Sequence, residues 1–422
     1  MNLLFSSIRD NIYNLQKTQH TEQGHHSLSK GNKHTFRANT HVHSPYSYSS
    51  FDTIDQMAEA ASTERIDILG INDFNTFSGH EEFAAACLSK KIYPLFNVEF
   101  RCISDQEDKC RWNDPVDPGV IYLCGKGVGY PNSLSGDSQN RMNALWKGSQ
   151  DHIWKIIARL NHYFKAVVPE ITLDYNEIRS EYSKGTLRER HLAKAIYDKI
   201  SKLDQQAASL DVIFRRLFNT DTVAADVADQ NEMQDQILFQ LFKYGKPGFV
   251  KHSNHTAISF TEAKEIILQS GGIPCYPLLG DTVKEFTENE SHLESLAEKL
   301  TTMGIYAVEF ISTRCSLEYL KKSTAYFREN GFCVTFGTEH NQPEIVPLLP
   351  SARDSLPFDR ELKDAAHEGA AIIAAHQEHH KENYNGFLDS DGEKAVSGVE
   401  LMDFIRRGED AILRLKTERA GA

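Results

Sequence analysis

The spacing of apolar residues changes along the chain, and these changes predict its secondary structure. From Phe36 onwards, apolar runs of strand length alternate with segments of helical spacing. The first predicted strand is Phe36–Ser44, and Thr53–Glu64 follows it with apolar side chains at helical spacing. The next predicted elements are the strands Ile66–Ile71, Ile92–Phe100 and Gly119–Cys124 and the helix Ser78–Leu88.

The pattern differs in the middle of the chain. Gly125–Gln150 is rich in glycine, serine and asparagine, which predicts a long surface loop. From Asp151 to about Tyr244 helical spacing dominates, which predicts an inserted helical subdomain. Strand–helix alternation then resumes. It predicts the strands Gly248–Lys251, Gly272–Tyr276, Ala307–Ile311 and Cys333–Gly337 and the helices Thr261–Gln269, Glu288–Thr301, Leu317–Asn330, Arg360–Lys381 and Val399–Arg419.

Strands that alternate with helices indicate an α/β fold with a parallel sheet, either a barrel or a doubly wound sheet. We predict a flexible N-terminal segment at 1–34, an α/β domain at 35–345 with a helical insertion at about 151–245, and a helical extension at 346–422. The two C-terminal helices are expected to cover the sheet or to form a homodimer contact. In such folds the chemistry lies at the carboxyl ends of the strands.

Composition narrows the class of protein. A chain of 422 residues with 40% hydrophobic content can bury a sizeable core. The net charge of −13 argues against duplex nucleic acid as a partner. The sequence contains no run of about 18 apolar residues, so no membrane partner is expected. Seven scattered cysteines and the lack of a signal-peptide core predict reduced thiols and a cytoplasmic location.

Side chains suited to metal binding lie at the ends of several predicted strands. His41 and His43 are two residues apart, so in a strand both imidazoles face the same side. The other candidates are Asp73, Glu99, Glu339 and His340. Two histidines and several carboxylates at one rim would hold a divalent cation and leave a position open for water. These ligands suit zinc, manganese and iron alike.

Six segments carry an ordered set of motifs. They are Phe36–Ser44, Asp67–Gly79 (DILGINDFNTFSG), Asn97–Glu99, Arg188–Ala195 (RERHLAKA), Gly271–Pro277 (GGIPCYP) and Gly337–Asn341 (GTEHN). In this order they resemble the motifs of the PHP (polymerase and histidinol phosphatase) family, and the likeness covers roughly residues 36–345. The resemblance implies a distorted (β/α)7 TIM-like barrel, up to three bound metals and, in most members, phosphoesterase activity.

The chain departs from the family at several metal-binding positions. Phe74, Tyr122, Tyr276 and Asn341 replace family histidines, and Glu339 replaces an aspartate. The resemblance assigns one family metal site to residues that are still able to ligate, namely His41, His43, Glu99 and Glu339, with His340 as a candidate to replace Glu339. Since the ligands of the other two metals are lost together, we expect one divalent metal ion.

With a single metal, side chains must meet the charge of a phosphoryl group. The candidates for substrate binding are Arg188, Arg190, Lys251, His252, Tyr122 and Tyr276. Asp73 and His191 are the catalytic candidates, with Asp73 either acting as a base or orienting a ligand.

The leading hypothesis is a metal-dependent hydrolase, a phosphoesterase by type, that acts on a small anionic substrate through one metal-activated water. One alternative is a PHP-like binding or regulatory protein without catalysis. Another is a mononuclear hydrolase of amide or lactone bonds. The sequence does not identify the substrate, because the insertion and the Gly125–Gln150 segment match no motif that names one.

Overall fold

The computed structural model describes residues 35–105, 110–131, 134–204, 206–251, 257–282, 286–382 and 384–417. The segment predicted at 1–34 lies outside these residues. The strands are β1 (Ala38–Val42), β2 (Ile68–Phe74), β3 (Tyr93–Ile103), β4 (Val120–Lys126), β5 (Ile258–Ser259), β6 (Ile273–Leu278), β7 (Ala307–Ile311) and β8 (Cys333–Gly337).

The strands form a nearly closed barrel. They pair in the order β1-β2-β3-β4-β6-β7-β8, and the short β5 pairs with β3. β4 runs antiparallel to β3 and β6, whereas the other neighbours are parallel. Val42 at the end of β1 forms a parallel bridge to Glu339 just after β8, which brings the two edges of the sheet together. The predicted α/β barrel is therefore confirmed.

Helices surround the barrel and form the insertion. They are α1 (Ile54–Thr63), α2 (His80–Ser89), α3 (Gly136–Val167), α4 (Tyr175–Tyr182), α5 (Glu189–Leu203), α6 (Ala207–Phe218), α7 (Gln230–Phe242), α8 (Phe260–Gln269), α9 (Leu293–Thr302), α10 (Leu317–Glu329), α11 (Arg360–Glu382) and α12 (Gly398–Thr417). In the described part of the chain, none of these helices is long and apolar enough to span a membrane.

The insertion has an apolar core of its own, built from α3 to α7 and the segments between them. It begins earlier than predicted, because α3 starts at Gly136 inside the segment predicted to be a loop. The Ser135 hydroxyl accepts the N–H of Ser138 and caps the helix, and Met142 and Leu145 are buried on it. The many small polar residues around these apolar positions obscured the helical spacing. The strand predicted at Gly248–Lys251 is also wrong, since these described residues are irregular.

The two C-terminal helices cover the amino-terminal end of the barrel. Buried residues of α11 form a cluster with the first residues of β1, β2, β6, β7 and β8. The side chain of Gln377 accepts the N–H of Phe96 at 2.9 Å and donates to the carbonyl of Pro94 at 3.0 Å, so α11 is bonded to β3 as well as packed on the barrel. The carboxyl ends of the parallel strands therefore form the end that is available for a site. The predicted homodimer contact of these helices stays a prediction.

Candidate metal centre

Three predicted ligands meet at the carboxyl-terminal end of the barrel. His41 and His43 lie on one side of the end of β1, and Glu99 lies on β3. The two Nε2 atoms are 3.3 Å apart, and Glu99 Oε2 lies 3.5 Å from His41 Nε2 and 3.2 Å from His43 Nε2. All three side chains are buried. The barrel therefore places these three side chains together at one point, and their role as metal ligands stays a prediction.

The spacing of these three atoms fits a metal ion. A tetrahedral site with metal–ligand distances of about 2.0–2.1 Å places neighbouring ligand atoms about 3.3–3.4 Å apart. The three measured separations agree with this distance between neighbouring ligand atoms, and the fourth position of the tetrahedron is left for another ligand. Among the described residues, buried Glu99 Oε2 accepts no hydrogen bond of good geometry, so a polar atom is left for a cation to satisfy.

His41 is oriented by a carboxylate behind it. Its Nδ1 lies 2.7 Å from Glu309 Oε2 on β7, so an Nδ1–H donated to Glu309 leaves the Nε2 lone pair for a metal. Burial lowers the pKa of His41, but the charge of Glu309 and the hydrogen bonds to Cys124 and Glu309 together outweigh burial and raise the pKa well above its ordinary value. A metal that binds at Nε2 therefore competes with a proton.

Glu309 is itself neutralised by a buried lysine. Lys126 Nζ on β4 lies 2.7 Å from Glu309 Oε2, and both side chains are fully inaccessible to solvent. Burial raises the pKa of Glu309, but Lys126 and His41 outweigh burial and lower it to about 2. Lys126 also donates to the carbonyl of Thr40 and to Asn72 Oδ1, each at 3.1 Å. The ion pair holds β1, β2, β4 and β7 together beneath the site.

The Lys126 contact fixes the amide of Asn72 with its nitrogen towards His41. Asn72 Nδ2 is 3.3 Å from Nδ1 and 3.0 Å from Nε2 of that imidazole. An atom nearly equidistant from the two ring nitrogens cannot lie along the lone pair of either. The amide therefore does not occupy the direction in which His41 would bind a metal.

His43 is oriented by a chain of two hydrogen bonds through Ser47 and Asp73, here called the Ser47–Asp73 relay. Its Nδ1 is 3.2 Å from the hydroxyl of Ser47, and that hydroxyl lies 2.7 Å from Asp73 Oδ1. With Ser47 donating to Asp73, the imidazole donates its Nδ1–H to Ser47 and turns a bare Nε2 towards Glu99. Asp73 also accepts the N–H of Ser44 at 2.7 Å. Burial raises the pKa of Asp73, in opposition to these hydrogen bonds and the charge of His43. In this position Asp73 contacts His43 through Ser47, and its predicted role as a base or as an orienting residue stays a prediction.

Phe74, which by the resemblance replaces a family histidine, packs against the predicted ligand His43. Its ring stacks on His43 with centroids 4.7 Å apart, and the Arg188 guanidinium carbon lies 3.9 Å from the Phe74 centroid. Tyr122 contacts the edge of Phe74 with centroids 6.1 Å apart. Burial is the main cause that raises the pKa of Tyr122 to about 12, and the charges of Glu99 and Arg188 both reach its hydroxyl. Arg188 and Tyr122 therefore border the centre, and their predicted role in substrate binding stays a prediction.

Glu339 and His340 adjoin the centre without joining the cluster of three ligands. The carboxylate of Glu339 pairs with Arg314. Both ring nitrogens of His340 contact protein oxygens, namely the Thr338 hydroxyl at 2.9 Å and the Val346 carbonyl at 2.8 Å. In this arrangement His340 has no ring nitrogen left for a metal, and its role as a ligand stays a prediction.

The remaining candidates lie in several places. His191 Nδ1 accepts the N–H of Arg188 at the start of α5, and burial and the charge of Arg188 lower its pKa to about 3. Arg190 pairs with Asp235 in the insertion. Tyr276 is buried in the core and donates to Glu290 at 3.0 Å. Lys251 is exposed, and His252 lies outside the described residues. Their predicted roles stay predictions.

Sequence reasoning missed the residues behind the ligands. Glu309 was detectable in principle, because it is a charged residue inside the apolar strand Ala307–Ile311. Lys126 gave no such signal, since it follows a glycine inside the segment Gly125–Gln150 predicted to be a loop. Ser47 lies four residues after His43 in a turn, where serine is ordinary.

Position 337 requires glycine because its backbone lies against His41. A Cβ built on it would lie 2.2 Å from His41 Cβ. Since β1 and β8 close the barrel here, neither residue can withdraw easily, and Gly337→Ala should cost about 1–3 kcal/mol or more of stability and weaken metal binding. Chemical denaturation and metal titration measure both effects. Gly136→Ala is the matched control, because its Cβ would meet no atom within 4 Å. Equal effects of the two substitutions would contradict the steric explanation.

Comparisons with known proteins agree with this architecture. A PHP domain is detected at residues 39–245, so the chain contains a domain of the family that its motifs resemble. A search of curated proteins gave no match.

Two solved structures are similar to the chain. One is an amidohydrolase from Chromobacterium violaceum with bound sulfate and no metal, with 17% identity, a TM-score of 0.49 and coverage of 78% of this chain and 96% of that chain. The other, from Bifidobacterium adolescentis, was proposed to be a metal-dependent phosphoesterase, with 12% identity, a TM-score of 0.51 and coverage of 78% of this chain and 94% of that chain. At this level of identity the second likeness shows the fold alone. The PHP domain and the ligand cluster together support a metal-dependent hydrolase as the general class.

Proposed function

We propose that the protein hydrolyses a small anionic phosphoester with one divalent metal ion held by His41, His43 and Glu99. The observation that carries the proposal is the triangle of three buried ligand atoms with an open fourth position. Zinc, manganese and iron all suit these ligands. When bound, such an ion supplies Lewis acidity, which polarises a phosphoryl oxygen and acidifies water.

The residues behind the ligands determine how well they bind. Glu309 and the Ser47–Asp73 relay hold the two imidazoles with Nε2 directed inwards, so no tautomer has to change when a metal binds. The Lys126–Glu309 ion pair forms part of the deep wall of the site, and the two opposite charges give it no net charge. The arrangement is preorganised, which reduces the reorganisation that binding would otherwise require.

The phosphoester assignment rests on the positive charge beside the ligands. Arg188 lies over Phe74, which in turn stacks on His43, so a guanidinium lies one ring away from a metal ligand. Arginine forms bidentate hydrogen bonds with phosphate oxygens. Phe74 and Tyr122 occupy positions of metal ligands in the family, and the cation of Arg188 takes over part of the charge that further metals would provide.

Metal titration and a substrate panel test the proposal. We expect about one zinc, manganese or iron ion per chain after reconstitution, and metal-dependent hydrolysis of phosphomonoesters or phosphodiesters. Arg188→Met should raise KM for a phosphoester and leave metal content unchanged. Two or three metals per chain would contradict the mononuclear site. Hydrolysis confined to amides or lactones would favour the second hydrolase hypothesis, and binding of a ligand by metal-free protein without turnover would favour a binding protein.

The proposed location is the cytoplasm. All seven cysteines lie in the described part of the chain as free thiols, and six of them are buried. Free thiols are typical of proteins in reducing compartments.

A further inference from the structure

Glu339 lies beside both histidine ligands because the backbone places it there. Its N–H donates to the carbonyl of His41, and its carbonyl accepts the N–H of His43, each at 2.8 Å. Glu339 and His340 both have left-handed backbone conformations, with φ of 68° and 56°. Two consecutive non-glycine residues in this region are uncommon and mark a segment that the surrounding structure holds in place. The turn fixes where the Glu339 side chain starts, and its rotamers decide where the carboxylate goes.

The carboxylate now contacts Arg314 instead of the ligand cluster. Among the described residues, Glu339 is the ion-pair partner of the Arg314 guanidinium. The side chains are 12% and 33% exposed, so the pair lies at the mouth of the barrel and solvent reaches the arginine. A glutamate is one methylene longer than the aspartate of the family, which gives the carboxylate about an ångström more reach. This length allows one side chain to serve two partners.

The backbone of Arg314 is held in position independently of Glu339. It ends a short 3-10 turn, Ser312–Arg314, directly after β7. Its carbonyl accepts hydrogen bonds from Arg353 Nε at 2.9 Å and Arg353 Nη2 at 2.6 Å. Arg353 also contacts Asp281 Oδ1 at 3.3 Å, so three loops at the rim are connected. The backbone that carries the guanidinium would therefore stay at the rim if the carboxylate of Glu339 turned away.

We propose that Arg314 is an anion-binding residue of the site, masked by Glu339 and exposed when Glu339 turns towards the metal. The inference rests on the proposed function for its metal and adds a specific residue for the anionic group of the substrate. Metal binding and anion binding are then coupled, because one carboxylate cannot neutralise Arg314 and ligate the metal at once. By linkage, the anion strengthens metal binding by the same factor by which the metal strengthens anion binding.

The test uses metal-free protein and inorganic phosphate, so that a metal cannot bind the anion itself. We expect Glu339→Gln to tighten phosphate binding about tenfold, as measured by calorimetry, since one charge-assisted contact is unmasked. Adding Arg314→Met should remove the whole gain. Glu368→Gln is the control: it removes the same charge from another surface pair, Arg328–Glu368, whose side chains are 38% and 25% exposed. An equal gain in this control would show a general charge effect and overturn the proposal.

A second measurement separates anion binding from a structural role. The Arg314→Met variant should bind zinc at least as tightly as the unmodified protein, because the arginine no longer competes for Glu339. Weaker zinc binding by this variant, with phosphate affinity unchanged in Glu339→Gln, would show that Arg314 only braces the rim. Failure of the proposed hydrolase function would be seen separately, as absence of metal binding or of turnover in the unmodified protein.

Discussion

Glu99→Gln is expected to remove most of the bound metal and to lower kcat/KM by about a thousandfold, on the order of 4 kcal/mol of transition-state stabilisation. Glu99 supplies the carboxylate of the three-ligand cluster, and a neutral amide is a far poorer ligand for a divalent cation. Both imidazoles would then face an uncharged group. Metal analysis after dialysis and steady-state kinetics measure the two effects.

The matched control is Glu290→Gln. Glu290 is also buried in the barrel, where it accepts the Tyr276 hydroxyl and the N–H of Gly280 at 2.7 Å. Burial raises its pKa to about 7, so a neutral glutamine resembles the form that prevails in mildly acidic solution. This variant should retain its metal. If Glu99→Gln also retained its metal at unchanged affinity, the metal would have to bind elsewhere.

The sequence was sufficient to predict that His41, His43 and Glu99 lie close together, because their positions follow from strand geometry. Alternation along a strand places His41 and His43 on one face, and parallel strands bring the end of β1 close to Glu99 on β3. The alternation of strand and helix spacing predicted a parallel sheet, either a barrel or doubly wound, and the resemblance to the PHP family implied the barrel. These inferences need only local pattern and short motifs.

The sequence was insufficient where distant residues determine the outcome. Lys126 is buried although lysine is rarely buried without a partner, and its partner Glu309 is distant in the sequence. The start of α3 at Gly136 depends on Met142 and Leu145 finding a core, which composition does not reveal. The pairing of Glu339 with Arg314 depends on rotamers at the rim. Only the packed barrel supplies these partners.

Glu309→Leu is expected to destabilise the protein by about 3–5 kcal/mol, because it leaves the ammonium of Lys126 buried without a countercharge. Both side chains are fully inaccessible to solvent, and Glu309 also accepts the Thr40 hydroxyl at 2.7 Å. Such a loss is a large part of the stability of an ordinary domain. Urea denaturation of the metal-free protein measures this loss of unfolding free energy. If the loss is too large for the variant to fold, the variant accumulates in the insoluble fraction.

The double substitution Lys126→Met/Glu309→Leu separates stability from function. Replacing both partners of a buried pair with apolar residues is often neutral for stability, so the double variant should recover most of the loss. It should not recover metal affinity, since His41 lacks the carboxylate that fixes its tautomer, and a weakening of about 10–100-fold is expected. Full recovery of metal binding would show that Glu309 does not orient His41.

Acid unfolding provides an independent check of the same pair. Lys126 and His41 hold the pKa of Glu309 near 2, below its ordinary 4.5 despite burial. The stabilisation that Glu309 contributes is therefore present above about pH 4.5 and is lost as the pH falls towards 2. The double variant lacks this carboxylate, so its stability should decline less than that of the unmodified protein over that interval. Parallel acid denaturation curves would mean that the Glu309 charge does not stabilise the fold, and the loss in Glu309→Leu would then come from packing alone.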